Sequence, residues 1–383
     1  MTDWGRSPRT DAYEAVLVDP FTLQETGEKL ELKWGESSVV FGMETDNFYS
    51  ANISSLDPIS LDRCIRLKHS IECDGEIREE VLGTFFVDTK PETALRKQIT
   101  RKASCYSTLW RVMDDTLRSD FYRAYGENVV EAIEFIAQAD GGLSRRGTNC
   151  ATHRTFGRDI FFPLGDNKGR TMQTIAGWIN NIVLPDPYGY LTIQEIPDPT
   201  TAAVEYVFEE GENCVYLPGA TLDDTHADGY NRVIASWSRA SVPKTARKDE
   251  NGNYVKDSDG NTIYDEDDNF GLSGNVCVQL PATHPFSFER IGRNKTYHLK
   301  LTEPCSYADL ESQALAFLND HCGSTDYIEI EHLGVPGLRP YAVVMYRNNT
   351  DFEEPIVKRC QIVEMDMKLS YGCRTKTKMK VIS

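Results

Sequence analysis

Long apolar runs, phosphate-cradling loops and paired metal-ligand spacings are all missing from this 383-residue chain. No stretch approaches the roughly 18 apolar residues that a membrane helix needs, so no membrane span is expected. The start, Met1-Thr-Asp-Trp-Gly-Arg6, lacks the apolar run and small-residue cleavage site of a secretory signal, which points to assembly in a cytoplasm. The sequons at Asn52, Asn294 and Asn348 then carry no glycan. Ten cysteines lie scattered between Cys64 and Cys373 without one Cys-x-x-Cys pair. They read as reduced, mostly buried thiols and not as a disulfide framework.

Positive charge is also scarce. Against 59 Asp and Glu stand 41 Lys and Arg, a net charge of −18. A field of that sign repels phosphate backbones, which excludes sequence-specific nucleic-acid binding. It leaves two uses: a solvated surface that keeps the chain soluble, or a wall past which DNA slides without being held.

Catalytic signatures fail one by one. Gly165-Asp-Asn-Lys-Gly-Arg-Thr171 has the wrong spacing for a phosphate loop and Arg where Lys must reach phosphate, so it reads as a turn. Gly271-Leu-Ser-Gly274 misses the spacing of a nucleophile elbow. The seven histidines are dispersed; Cys150 and His153 have a ligand-like gap but no second pair, and a structural zinc needs four ligands. Asp257-Ser-Asp259-Gly260 resembles a calcium loop, yet its glycine comes at the fourth position and not the sixth, so a tight turn is the better reading. Acidic pairs such as Glu353-Glu354 and the run Asp265 to Asp268 belong on solvated faces before they belong across a sugar. Trp34, Trp110, Trp178 and Trp237 fall in periodic segments and read as packing residues. No catalytic, cofactor-binding or metal-binding residue is assigned, and no cofactor is expected.

What is present is the 40% hydrophobic, 26% charged composition of a folded globular chain, long enough for two to four modules at roughly 100–200 residues each. From Tyr13 to Tyr106 short alternating runs such as Ile65-Arg-Leu-Lys-His69 and Val81-Leu-Gly-Thr-Phe-Phe-Val87 predict antiparallel strands. The period then lengthens. Thr108 to Leu117, Val129 to Ala137 and Arg170 to Val183 predict amphipathic helices, the third stopping before Pro185. Strands resume at Val204 and Asn231; residues 244–269 read as an exposed hairpin insertion containing Tyr254 and Tyr264. Ser306-Tyr-Ala-Asp309 opens a helix, followed by strands near Tyr327, Tyr341, Cys360 and Lys376. No exact repeat is visible. The class is α+β and β-rich, in the order β, α+β, β.

Several of these segments carry a family resemblance. Val81-Leu-Gly-Thr-Phe-Phe-Val-Asp-Thr89 looks like the strand that closes the first barrel of the baseplate-hub proteins of tailed bacteriophages, a family that includes the hub of contractile tails and the N-terminal module of siphophage tail-associated lysins. Arg170-Thr-Met-Gln-Thr-Ile-Ala-Gly-Trp-Ile179 with Tyr188-Gly-Tyr-Leu-Thr-Ile-Gln194 resembles their helix and following strand. Asn231-Arg-Val-Ile-Ala-Ser236 resembles the strand that re-enters the second barrel. Ser306 to His321, Tyr327-Ile-Glu-Ile-Glu331 and Val335-Pro-Gly-Leu338 resemble the late helix, strand and proline turn, although Arg339-Pro340 follows where the family has Gly-Asp.

The resemblance implies two tail-tube-like antiparallel β-barrels with intervening and inserted α+β domains: 1–107 the first barrel, 108–200 the α+β domain, and 201–383 the second barrel region with insertions at 244–269 and 306–338. It implies a non-enzymatic homotrimeric ring at the virion tail tip, made in the host bacterial cytoplasm, that adapts a six-fold tube to a three-fold tip and lets DNA pass. The implied partners are the distal-tail or tail-tube protein, the tape-measure protein and a downstream spike or fibre. The last β segment ends at Ser383 without a fibre or peptidase, as expected of a stand-alone hub. Two competitors stay open. A tail-associated cell-wall hydrolase would draw on residues such as Cys150 and His153; a receptor- or carbohydrate-binding module would draw on Tyr254 and Tyr264.

Overall fold

The structure, a computed structural model, describes residues 8–43, 48–95, 98–139, 143, 145–148, 154–156, 159–210, 215–225, 229–238, 244–246, 256, 264–266, 273–284, 286–301, 306–322, 325–349 and 355–382. It divides into two compact units, Met1–Asp223 with Tyr327–Ser383, and Asp224–Asp326. The first eight strands are β1 (Arg9–Val18), β2 (Glu25–Leu30), β3 (Ser38–Gly42), β4 (Tyr49–Ser55), β5 (Cys64–Cys73), β6 (Glu76–Thr89), β7 (Glu92–Leu95) and β8 (Gln98–Ser107). Asp74 and Gly75 both take positive φ, 52° and 78°, so two residues suffice to turn β5 into β6. Beyond β2, Leu32 bridges Ser55 at the end of β4, with Lys33 N–H on the Ser54 carbonyl at 2.8 Å and Leu56 N–H on the Glu31 carbonyl at 2.9 Å.

The middle lobe contains α1 (Trp110–Met113), β9 (Phe121–Arg123), α2 (Val129–Gln138), β10 (Arg145–Thr148), β11 (Ile160–Phe162), α3 (Lys168–Gly177), β12 (Asn181–Pro185) and β13 (Leu191–Glu195). Two helices are shorter than the periodicity predicts. The first is a single turn, because Thr116 leaves to bridge Asn167 and Leu117 N–H bonds the Asp166 carbonyl. α3 ends at Gly177; Asn180 turns the chain at φ 55°, and the β-branched Ile182-Val183 continues as strand β12.

The lobe also holds a repeat that the sequence conceals. Asn128 caps α2 and Asn167 caps α3, a spacing of 39 (167 − 128). At that same spacing Gly126 N–H bonds Phe156 and Gly165 N–H bonds Leu117, both at 2.9 Å. Tyr125 N–H bonds Asp159 at 2.7 Å, and Leu164 N–H bonds Asp120 at 2.9 Å. β9 and β11 pair antiparallel with Tyr122 opposite Phe161, which places a local two-fold axis between the halves. Burial obeys it: Ile133 and Met172 are both 0% exposed, as are Ala137 and Ala176.

After β14 (Tyr206–Phe208) and β15 (Tyr216–Thr225) the chain builds its second unit from β16 (Arg232–Ser238), β17 (Lys244–Ala246), β18 (Tyr264–Glu266), β19 (Ser273–Gln279), α4 (Phe288–Ile291), β20 (Thr296–Leu301) and α5 (Tyr307–His321). The sheet order is β19-β16-β20, and Leu310, Ala314 and Leu318 of α5 complete its core with Val233, Ala235 and Val276. β17 pairs with β18, Thr245 opposite Asp265. Ser306 Oγ accepts the Asp309 N–H at 3.1 Å. Ser306→Ala is therefore expected to cost about 1 kcal/mol of helix stability, measurable as faster amide exchange over the first turn of α5.

The chain returns to the first unit with β21 (Thr325–His332), β22 (Val343–Asn348), β23 (Ile356–Lys368) and β24 (Thr375–Val381). The helix and strand expected together over 306–338 thus go to different sheets, α5 to the small one and β21 beside β24. The two β halves are joined in one 14-stranded sheet whose main path is β15-β21-β24-β23-β3-β4-β8-β6-β5-β1-β2, with β22 and then β14 branching from β23 and β7 from β8. Among the described residues no pairing joins its two ends. The seam lies between β3 and β23, where Phe41 faces Met365 and Val39 faces Met367. All four side chains are buried in one core, so the alternation of both strands runs in phase and the seam is favoured by apolar burial.

Candidate functional site

Two charged clusters lie inside the first unit, each tying distant turns to the first strands. Arg66, on β5, is 4% exposed. Its Nε donates to Thr84 Oγ1 at 3.0 Å, Nη1 to Glu25 at 3.2 Å, and Nη2 to the carbonyls of Leu23 and Tyr188, both at 3.0 Å. The guanidinium also lies 5.1 Å from the centre of the Tyr188 ring. Thr84 Oγ1 donates to the Pro187 carbonyl, and Thr108 Oγ1 to that of Gly189. The turn between β12 and β13 is thereby held against β5 and β6. Gly189 is required there, at φ 93° and with Thr108 Cγ2 only 2.8 Å from where a Cβ would stand.

The second cluster centres on His69. Its Nε2 lies 2.9 Å from Asp11 Oδ1 and its Nδ1 3.4 Å from Glu80 Oε1. Arg9 grips Asp11 through two nitrogens at 3.0 and 2.9 Å. Asp11 Oδ2 also accepts Gly372 N–H at 2.9 Å, and Glu80 Oε2 accepts Gly337 N–H at 2.9 Å and Arg339 Nη2 at 3.2 Å. Burial opposes charge on His69, but the bonds to Asp11 and Glu80 outweigh it and hold the imidazole pKa above its usual value. The carboxyls of Asp11 and Glu80 are held below theirs: burial would raise them, and their hydrogen-bonded cationic partners overcome it.

Asp, His and a nearby Cys373 invite comparison with a nucleophilic triad. Tyr13 stacks on His69 at 4.7 Å and its hydroxyl donates to Ser370. The His69, Asp11 and Cys373 side chains are shut away from solvent, burial pushes the Cys373 thiol up to about 11, and both imidazole nitrogens face carboxylates. A base needs a free nitrogen and a substrate path; this arrangement offers neither and acts as a clamp. Beside it Tyr49, Pro185, Glu205, Arg339 and Tyr341 line a cavity of about 390 Å³, in which burial raises the Glu205 carboxyl.

Cys150, His153, Tyr254, Asp257, Asp259, Glu353 and Glu354 lie outside the described residues. Gly165 to Thr171 is the turn and first helical turn of α3, its Lys168 buried against Asp115. Trp237 packs inside, whereas Trp34 and Trp178, expected as packing residues, are 53% and 46% exposed. Trp34 still meets Tyr13 edge-on at 5.5 Å and Trp178 stacks on Phe162 at 6.0 Å. Among the described cysteines, Cys64, Cys73, Cys105, Cys360 and Cys373 are buried. Among the described residues no group of three or more His, Cys, Asp or Glu is placed to hold a metal ion, and no described helix is long and apolar enough to cross a membrane.

No family model matches the sequence, and no curated protein matches it. Solved structures do. A tail protein from Neisseria meningitidis MC58 matches over 97% of this chain and 96% of its own, with a TM-score of 0.64 at 10% identity. The 43 kDa tail protein of prophage MuSo2 from Shewanella oneidensis matches over 96% and 98%, with a TM-score of 0.60 at 13% identity. The chain has the fold of phage tail proteins. A third such structure, prophage tail protein gp18 from Listeria monocytogenes EGD-e, covers 96% of this chain and 94% of its own at a TM-score of 0.53 and 10% identity. At 96–97% of the chain the matches take in residues of both units and are not confined to one module.

Proposed function

We propose that this chain is a structural, non-enzymatic hub subunit of a phage tail tip or baseplate. Three copies form a ring, each giving two tube-like barrels, so that six barrels meet a six-fold tail tube above and the remaining domains face a three-fold tip below. The observation that carries this reading is the near-complete fold match to tail proteins in a chain whose interior clusters serve to join β elements. The boundaries proposed are 1–107 for the first barrel, 108–200 for the α+β lobe and 201–383 for the second barrel region with its insertions. The first barrel is supported by the pairings β1 to β2, β4 to β8, β8 to β6, β6 to β5 and β5 to β1, because the Leu32 bridge to Ser55 supplies the remaining link from β2 to β4.

The partners in this reading are the distal-tail or tail-tube protein, the tape-measure protein and a spike or fibre, in a virion assembled in the bacterial cytoplasm. DNA passes without being bound, which the net charge of −18 favours. A mass measurement in solution tests the ring: three copies per particle are expected, and a persistent monomer at high concentration overturns it. A peptidoglycan zymogram tests the non-enzymatic part; lysis by the purified protein that Cys150→Ser or His153→Ala abolishes would make the chain a tail hydrolase instead.

A further inference from the structure

The repeat in the middle lobe provides an internal comparison of which surface residues are retained. Where the two halves face solvent they have mostly drifted: Glu131 stands opposite Arg170, and Phe135 opposite Thr174. The turn and anchoring residues Gly126 and Gly165, Asp120 and Asp159 are kept, and two further exposed positions hold a large apolar side chain in both halves. Tyr122 and Phe161 are 53% and 59% exposed, Tyr125 and Leu164 73% and 63%. Each pair keeps the repeat spacing, 161 − 122 and 164 − 125 both being 39. Each of these side chains keeps more than half of its surface in water, so core packing does not require a large apolar residue at both copies of the position.

The geometry sets Tyr122 and Phe161 at the local two-fold axis, with Tyr125 and Leu164 beyond the two ends of the ribbon. Tyr122 and Phe161 are directly opposed in the β9–β11 ribbon, and opposed residues of an antiparallel pair share a face. The inward face is filled by Phe121 and Ile160, each 5% exposed. Tyr125 and Leu164 follow at opposite ends of the ribbon. The Asp159 carboxylate fixes one end, accepting both Tyr125 N–H and the Tyr122 hydroxyl, and Asp120 fixes the other through Leu164 N–H.

We propose that this face is an isologous docking surface whose occupant is the same face of a second copy of the chain. A surface that presents one apolar pair twice about a two-fold axis fits a partner that does the same, and a second copy is the simplest such partner, two-fold pairing being the commonest closed association of like chains. The contact is independent of the ring proposed above. With its axis at right angles to that of a three-fold ring, it closes into a six-chain particle of D3 symmetry.

The test is sedimentation of the full chain over a range of concentrations, comparing the wild type with Tyr122→Ser/Phe161→Ser, whose folding is checked by circular dichroism. If that variant fails to fold, Tyr125→Ser/Leu164→Ser, placed in turns, takes its place. The expected wild-type mass at high concentration is twice that of the variant. Equal masses at every concentration overturn the proposal, whether the face is idle or takes a different partner. Six chains against three support both contact and ring, two against one support the contact and sink the ring, and three against three keep the ring and sink the contact.

Discussion

Arg66→Met is expected to lower the unfolding free energy of the first unit by about 3–5 kcal/mol, the usual cost of removing one member of a buried charged cluster. Methionine fills much of the same space, so the loss reports chiefly on stranded polar groups and not on a cavity. The carbonyls of Leu23 and Tyr188 lose the donor at Arg66 Nη2, and Glu25 keeps only its bond to Lys68. Arg66→Lys should recover only part of the loss, because one ammonium cannot reproduce the planar fork that spans Thr84, Glu25 and two carbonyls. Denaturant midpoints measure the loss, and amide exchange at 186–190 locates it. A change under about 1 kcal/mol with unaltered exchange at that turn would show that the cluster is not what holds the middle lobe to β5 and β6.

Much of the architecture was readable because alternation and helical period are local. Cys360 to Met367 reads as a strand and is one, and Val130, Ile133 and Ile136 read as the buried stripe of a helix and pack in the lobe core. The clamps were not readable for the same reason. Along Ile65-Arg-Leu-Lys-His69 the polar residues alternate as on any solvated face, and only the turns arriving from Pro187 and Gly372, more than a hundred residues away, cover Arg66 and Asp11. The seam hides similarly: nothing local in Val39 or Met367 says that each is the other's neighbour. The repeat left two short legible traces, Gly126-Glu-Asn128 against Gly165-Asp-Asn167, the glycine turn and asparagine cap that both helices need, and Ile136-Ala137 against Ile175-Ala176 in the buried stripes. Most other equivalent positions keep burial but change residue, as Ile133 and Met172 do, and identity falls below what the eye detects.

The His69 cluster should make the stability of the chain bell-shaped in pH. The imidazole pKa is raised in the folded state, so its contribution is fully present below the unfolded value of 6.5 and is lost as pH rises through the higher folded value. Asp11 and Glu80 have lowered pKa values, so theirs is present above the unfolded values of 3.8 and 4.5 and is lost as pH falls through the folded ones. The window in which all three contribute fully therefore runs from about the unfolded value of Glu80, 4.5, to that of His69, 6.5. His69→Gln removes the cation between two carboxylates and should cost about 3 kcal/mol inside that window. It should cost progressively less above it, because the wild type is then losing the same charge. Asp11→Asn should flatten the acid limb instead and loosen the turn that donates Gly372 N–H. Denaturation midpoints of wild type and both variants from pH 4 to 9 decide the matter. If His69→Gln runs parallel to the wild type above pH 6.5, the imidazole is neutral in the folded chain and the two carboxylates are held by Arg9, Arg339 and backbone amides alone.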